Sequence, residues 1–457
     1  MTDTYVDVKI RIFELRGDVY PVELIVDNEQ EFRGALAGHI LPWISSGNPA
    51  QDGRMLFDAL FADAGLRAGW AAARGTAERR RLRLLLDAPE LNGIPWEALC
   101  EDARGAMLAA NATTPFSRYL PVAAAWGRPL QTRPLRVLAV IANPDDLEDY
   151  NLPALDVAAE RAVLETAFAA MDSADVQLHF LDAPATLPRV EAALQEGYHV
   201  LHYVGHGMFS ARRQQAALYM QDESGMTTVV QEDQLTGMVA RQGAQPHLVT
   251  LMACQSATRA TADAFRGLGP GLVKVGVPAV VAMQDTVAVA AAQTFSQTFY
   301  RNLGRHGTVD LAMNAARSAL LTAGQSDAAV PVLFMRLQAG RLWAETSEAA
   351  PPQVEKPRPD VGELRWYFAE LRNDIAAEPS SLLQHEALAR LAALEAAITG
   401  APPDIEGMAV AHTWFSQAWP SLAGKVLNYL VLHPITQALM AYVGEDTLAA
   451  HRQKFVV

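Results

Sequence analysis

Two short stretches constrain what the rest of the chain must build. His199-Val-Leu-His-Tyr-Val-Gly-His-Gly207 and Leu248-Val-Thr-Leu-Met-Ala-Cys-Gln-Ser256 each run apolar and then stop on a reactive side chain. A short run that is apolar on both faces is a strand covered from both sides, the usual condition of a parallel sheet. The first run ends at His206, held between Gly205 and Gly207, and the second ends at Cys254. Ligands of open parallel sheets sit in the crevice at the carboxyl ends of the strands. If the two strands are neighbours, one imidazole and one thiol meet there as a candidate nucleophilic dyad.

The sequence around these runs alternates strand and helix. Arg136–Ile141 is a short apolar run, followed by the loop Asn143-Pro-Asp-Asp146. Leu155, Val163, Leu164 and Phe168 keep a helical period, Val176–Leu181 is a strand and Pro188–Glu196 a helix. Between the two reactive strands, Gln215–Gln221 and Met226–Val230 alternate around Asp222-Glu-Ser-Gly225 and read as a hairpin insertion. A helix over Gln234–Ala240 leads to the Cys254 strand. Further helices are expected over Ala262–Lys274, Val287–Leu303 and Thr308–Thr322, with strands at Pro278–Met283 and Pro331–Arg336. Such alternation implies βαβ units and a mostly parallel sheet flanked by helices.

The flanking regions differ. Residues 4–26 form two alternating runs around Gly17-Asp18, a β-hairpin pattern, and residues 28–75 read as helices with Trp43 and Trp70 as packing residues. Arg79-Arg-Arg81 reads as a solvated strand edge rather than an anion site, Leu82–Leu86 as a strand, and Pro95-Trp-Glu97 as packing. Residues 344–360 are rich in proline and charge, a linker composition. Beyond them, Asp360-Val-Gly-Glu363 matches a capping box, Leu364, Tyr367, Phe368 and Leu371 share a helical face, and Leu383–Ile398 is helical. Leu422–Val443 is apolar but broken by Lys425, His433 and Pro434, so it reads as a buried helix pair and not as a bilayer span. The expected organisation is an N-terminal α/β subdomain (1–130), a catalytic α/β domain (131–343), a linker (344–360) and a C-terminal helical domain (361–457).

Composition removes several function classes. A formal net charge of -14 argues against nonspecific nucleic-acid binding, which rests on Lys/Arg contacts to phosphate. Only Cys100 and Cys254 are present, so a disulfide framework is not expected and a reducing, cytoplasmic setting is favoured. The N-terminus, Met1-Thr-Asp-Thr-Tyr-Val-Asp, is acidic and lacks the apolar core of a signal peptide. No CxxC, HExxH or phosphate-binding loop occurs, and the histidines are not spaced as metal ligands; no metal or cofactor is expected.

The chemistry needs these residue types. A free thiol has a pKa of about 8.5 and requires a base or dipole to ionise at neutral pH. His206 can take that proton and return it to a leaving amine. The oxyanion of acyl transfer needs backbone N–H donors, which Gly207 and Cys254 can supply. A lone cysteine at a strand end is more often a small buried hydrophobe, and it is the pairing with a glycine-flanked histidine that favours catalysis. His202 reads as a supporting strand residue and His199 as packing.

The residues resemble a known family. Tyr203-Val-Gly-His-Gly207 and Leu251-Met-Ala-Cys-Gln-Ser256 are similar to the two catalytic motifs of CHAT-domain proteins, prokaryotic caspase-like peptidases related to caspases and separases. The similarity extends through Leu84-Leu-Leu-Asp-Ala-Pro-Glu-Leu-Asn-Gly-Ile-Pro-Trp-Glu97, Arg136-Val-Leu-Ala-Val-Ile-Ala-Asn-Pro144, Gly276-Val-Pro-Ala-Val-Val-Ala-Met-Gln284 and Pro331-Val-Leu-Phe334. It implies a caspase-like fold with His206 as base and Cys254 as nucleophile of a cysteine endopeptidase acting on a protein substrate. Family members are often joined to interaction or sensor modules and implicated in bacterial defence and cell death, so the helical tail is expected to receive a regulatory protein partner. Asp145, Asp146 and Asp285 are candidates for a substrate pocket that would select a basic residue before the cut. At Asp285-Thr-Val the sequence departs from the family, which there carries an aromatic or proline-containing segment. The rival readings are a catalytically silent scaffold of the same fold and a chain whose activity lies in its helical tail.

Overall fold

β1 (Val6–Ile12) and β2 (Val19–Val26) form the antiparallel hairpin expected around Gly17-Asp18. The computed structural model describes residues 5–40, 48–101, 106–120, 129–130, 134–169, 171, 176–210, 215–252, 259–283, 287–343, 361–377, 382–400, 403–443 and 445–455. After β2 the chain reverses at once, because Asp27 and Asn28 adopt positive φ (53° and 58°), a left-handed conformation that Asp and Asn tolerate best among non-glycine residues. β3 (Gln30–Ala37) therefore pairs antiparallel with β2, where the sequence pattern suggests a helix. Helices begin later, with α1 (Pro49–Leu60) capped by Asn48 and α2 (Ala64–Thr76) capped by Asp63. Trp70 packs as expected, against Phe57 and Phe61; Trp43 lies outside the described residues.

β4 (Arg80–Leu86) runs parallel to β1, and β5 (Phe116–Tyr119) parallel to β4. This interior position corrects the reading of the basic triplet as a solvated edge at Arg81, while Arg79, just before the strand, is exposed. Arg81 is buried and its Nε donates to the fully buried Asp310 carboxylate at 2.7 Å. Arg83, two residues on and so on the same face, is 1% exposed and donates to the carbonyl of Leu337. Between β4 and β5, Trp96 and Glu97 are fully buried, and Glu97 takes a bidentate pair of hydrogen bonds (2.9 and 2.7 Å) from Arg118.

The second half of the sheet follows the expected alternation. β6 (Leu135–Ile141), α3 (Val157–Ala169), β7 (Val176–Phe180), α4 (Leu187–Gln195) and β8 (Val200–Val204) come first. The chain then leaves this sheet for a three-stranded antiparallel one: β9 (Gly207–Ser210), β10 (Gln215–Gln221) and β11 (Thr227–Gln231). The hairpin is the expected one, and β9 adds a strand to it. α5 (Glu232–Ala240), β12 (Leu248–Met252), α6 (Arg259–Lys274), β13 (Ala279–Met283), α7 (Val289–His306), α8 (Val309–Thr322) and β14 (Pro331–Met335) complete the unit.

Among the described residues, the main sheet has the order β3-β2-β1-β4-β5-β14-β13-β12-β8-β6-β7. Only β1–β2, β2–β3 and β13–β14 are antiparallel within it. β14 joins the two halves, antiparallel to β13 and parallel to β5. The N-terminal strands thus extend the sheet of the central domain, while two hydrophobic clusters, one on each half, keep distinct cores. β8 is covered on both faces. Leu201 and Tyr203 meet Val190 of α4, Leu235 of α5 and Leu272 of α6 around one small apolar cavity, and His202 meets Tyr300 of α7.

By compactness the chain divides into a unit drawn from Met1–Leu120 and Trp126–Thr346 and a unit holding Ser347–Val457. The second is helical: α9 (Gly362–Ala377), α10 (Leu382–Thr399), α11 (Ile405–Ala418), α12 (Pro420–Val426), α13 (Pro434–Val443) and α14 (Glu445–Phe455). The apolar Leu422–Val443 stretch is interrupted by a π-helical turn at Leu427–Val431, and its Leu430, Val431, Leu439 and Met440 are buried in this unit's own core. Residues 344–360, read as a linker with Asp360 as its closing cap, lie outside the described residues.

Candidate active site

Three adjacent parallel strands, β12, β8 and β6, end together. Their register aligns Met252, Val204 and Ile141 at the carboxyl edge. Gly205 N–H reaches Met252 O (3.4 Å), and Ala142 N–H donates to Val204 O (2.9 Å). His206 follows Val204 by two residues, and Cys254 follows Met252 by two in the sequence. Cys254 itself lies outside the described residues, as do Gln284 and Asp285.

The turn that delivers His206 depends on Gly205. A Cβ there would stand 2.4 Å from the Tyr203 hydroxyl, which folds back under the turn, donates to Tyr219 O (2.8 Å) and lies 3.2 Å from His206 O. Tyr219 N–H donates to that same His206 carbonyl (3.1 Å). The main chain of the histidine is therefore fixed from two sides.

Its ring is 1% exposed, and Nε2 lies 2.8 Å from the carbonyl oxygen of Pro153. A carbonyl only accepts, so Nε2 carries the proton and donates it. Burial holds the imidazole below its usual pKa, opposed by the Pro153 hydrogen bond. The neutral ring then bears its lone pair on Nδ1, a buried atom without a hydrogen-bond partner among the described residues. An unpartnered buried acceptor is costly.

Gly207 begins β9. Since Tyr219 N–H bonds to His206 O, the β9–β10 ladder alternates so that Gly207, opposite Leu218, occupies a non-hydrogen-bonded position. Its N–H therefore lies on the edge of β9 away from β10. His202 is buried below the turn, with Nδ1 at 2.6 Å from both Tyr300 Oη and Thr250 Oγ1. Burial pushes it down to about 3, so it stays neutral and links β8, β12 and α7. His199 lies at the opposite end of β8, where Nδ1 accepts from Arg136 N–H (3.0 Å).

The acidic candidates separate. Asp145 is exposed in the loop after β6, whereas Asp146 Oδ1 accepts from both the N–H (2.7 Å) and the hydroxyl (2.6 Å) of Thr227. Those hydrogen bonds hold the Asp146 carboxyl below its usual range. Among the described residues no three His, Cys, Asp or Glu side chains cluster as metal ligands. Pro153, Thr250, Tyr300 and Tyr219 were not legible as site residues, since a carbonyl acceptor can come from any residue and the others meet the site only through long-range pairing.

A mostly parallel sheet flanked by helices, with a buried histidine just past the end of a central strand, is the caspase-like arrangement that the motifs imply. The chain belongs to the CHAT domain family, whose profile matches residues 50–359. No curated protein matches the sequence. Among solved structures, the chain is similar to separase of Saccharomyces cerevisiae in its complex with securin, at 15% identity over 59% of this chain, with a TM-score of 0.34. It spans only 16% of that separase chain. It is also similar to RgpB of Porphyromonas gingivalis, in the complex of its pro- and mature domains, at 13% identity over 67% of this chain and 78% of that one, with a TM-score of 0.34. Among the described residues no helix is long and apolar enough to cross a membrane.

Proposed function

We propose that the chain is a cysteine endopeptidase in which His206 activates Cys254. The observation that carries this reading is the state of His206: neutral, oriented by Pro153 O through Nε2, with Nδ1 buried and, among the described residues, unpartnered, beside the strand that leads to Cys254. Nδ1 takes the thiol proton and the thiolate adds to the scissile carbonyl. The oxyanion meets the N–H groups of Gly207 and Cys254. As the tetrahedral intermediate collapses, Nδ1 returns the proton to the leaving amine, leaving a thioester on Cys254. Water then attacks the thioester, giving its proton to Nδ1, and the acid product leaves as the thiol is restored. Asp145 and Asp285 are the acids left to select a basic residue before the cut, because Asp146 is engaged by Thr227.

Regulation by a protein partner belongs to the same proposal. The C-terminal helical unit has its own core and so suits a recruitment or sensing module, and family likeness suggests defence or cell-death signalling as the setting. The test is cleavage of a randomised peptide library by purified protein, with Cys254→Ala and His206→Ala alongside. Cleavage by the wild type and its loss in both variants are expected. Cleavage that persists in Cys254→Ala would sink the dyad.

A further inference from the structure

The hydrogen bond that orients His206 has its acceptor on a loop of the chain, and that loop is built on the β10–β11 hairpin. After β6, Asn143 Oδ1 accepts from Leu155 N–H (2.8 Å), closing the segment that contains Pro153. Leu152 N–H returns to Leu147 O (3.0 Å), and Leu147, Leu152 and Leu155 are buried. The loop meets the hairpin at three places. Asp145 N–H donates to Gly225 O (3.0 Å). Asp146 Oδ1 takes both donors of Thr227. Tyr150 packs edge-on against Tyr219, with ring centroids 5.4 Å apart. Gly225, with φ of +88°, is needed at the first contact, since a Cβ there would come 2.8 Å from Asp145 Oδ2. Tyr219 of the same hairpin also holds the His206 main chain.

One hairpin thus grips both ends of the bond between His206 Nε2 and Pro153 O. We propose that the β10–β11 hairpin is the positioning element of the catalytic histidine and that Asp146, through Thr227, is its principal positioning residue. This rests on the reading of His206 as the general base. It assigns the Asp146 carboxylate to holding the base rather than to binding substrate.

The test uses the full chain with isotope-labelled histidine, following solvent exchange of the His206 Nε2–H by NMR, with His206→Gln assigning the signal. The wild type should show a slowly exchanging proton. Asp146→Ala should exchange about tenfold faster or more, as local opening of the loop becomes easier. Asp146→Asn, whose Oδ1 still accepts from Thr227, should restore slow exchange at an unchanged melting temperature. Unaltered exchange in Asp146→Ala overturns the proposal. Should that variant fail to fold, Thr227→Val removes one of the two donors and must still accelerate exchange. In the cleavage assay Asp146→Ala should lower kcat with KM kept. A raised KM for basic substrates that Asp146→Asn does not rescue would assign Asp146 to substrate instead and also overturn it. The NMR readout needs no substrate, so a wild type that cleaves nothing counts against the peptidase reading while exchange still decides the hairpin's role.

Discussion

At the scale of single residues, His206 concentrates the argument. Its tautomer follows from one contact, because Pro153 O can only accept, and its charge state follows from burial. To act as the base proposed for it, His206 must be unprotonated. With its pKa held below the 6.5 of a free histidine, the ring stays neutral as pH falls through the range where an exposed histidine would charge. The acid limb of kcat/KM is therefore expected below pH 6.5, measured across a pH series on any cleaved peptide. A limb at or above that value would contradict the buried, neutral base. His202 shows the other outcome of burial. Pushed down to about 3 and bonded to Thr250 and Tyr300, it is kept from proton transfer and serves the frame.

At the scale of elements, short apolar runs placed β6, β8, β12 and β13 directly, because a strand covered on both faces leaves an uninterrupted apolar record. β3 escaped this logic. Its Glu-Phe-Arg-Gly-Ala-Leu-Ala sequence is rich in helix formers, and pairing to β2 overrode that preference once Asp27 and Asn28 had turned the chain. The basic β4 escaped as well, since Arg81 finds Asp310 only 229 positions later. Such buried pairs join β4 and β5 to their surroundings, and they are costly to break singly. Glu97→Ala leaves the Arg118 guanidinium, 2% exposed, without its carboxylate. The expected loss is about 3–5 kcal/mol, read from denaturant unfolding of the first unit. A loss below about 1 kcal/mol, the level of an exposed pair, would show that the carbonyls of Asn92 and Ile94 suffice for Arg118.

At the scale of the whole molecule, the sheet and the site were unequally legible. Strand–helix alternation announced a parallel sheet, and two strand ends offered its candidate reactive groups. The joining of the N-terminal strands to the central ones through β14 was not announced, because sheet order is a matter of which edges meet and not of any local pattern. The acceptor for His206 was hidden for the same reason: Pro153 contributes a backbone oxygen, which has no sequence signature. What the fold accomplishes is to end β6, β8 and β12 at one level, so that the loop after β6 and the turn bearing His206 leave the sheet side by side. The most direct test of the account is the alkylation rate of Cys254 against pH, followed by mass spectrometry with the buried Cys100 as internal reference. Fast alkylation is expected to persist well below the free-thiol pKa of about 8.5 and to collapse in His206→Ala. A rate that follows an ordinary thiol in both proteins would contradict it.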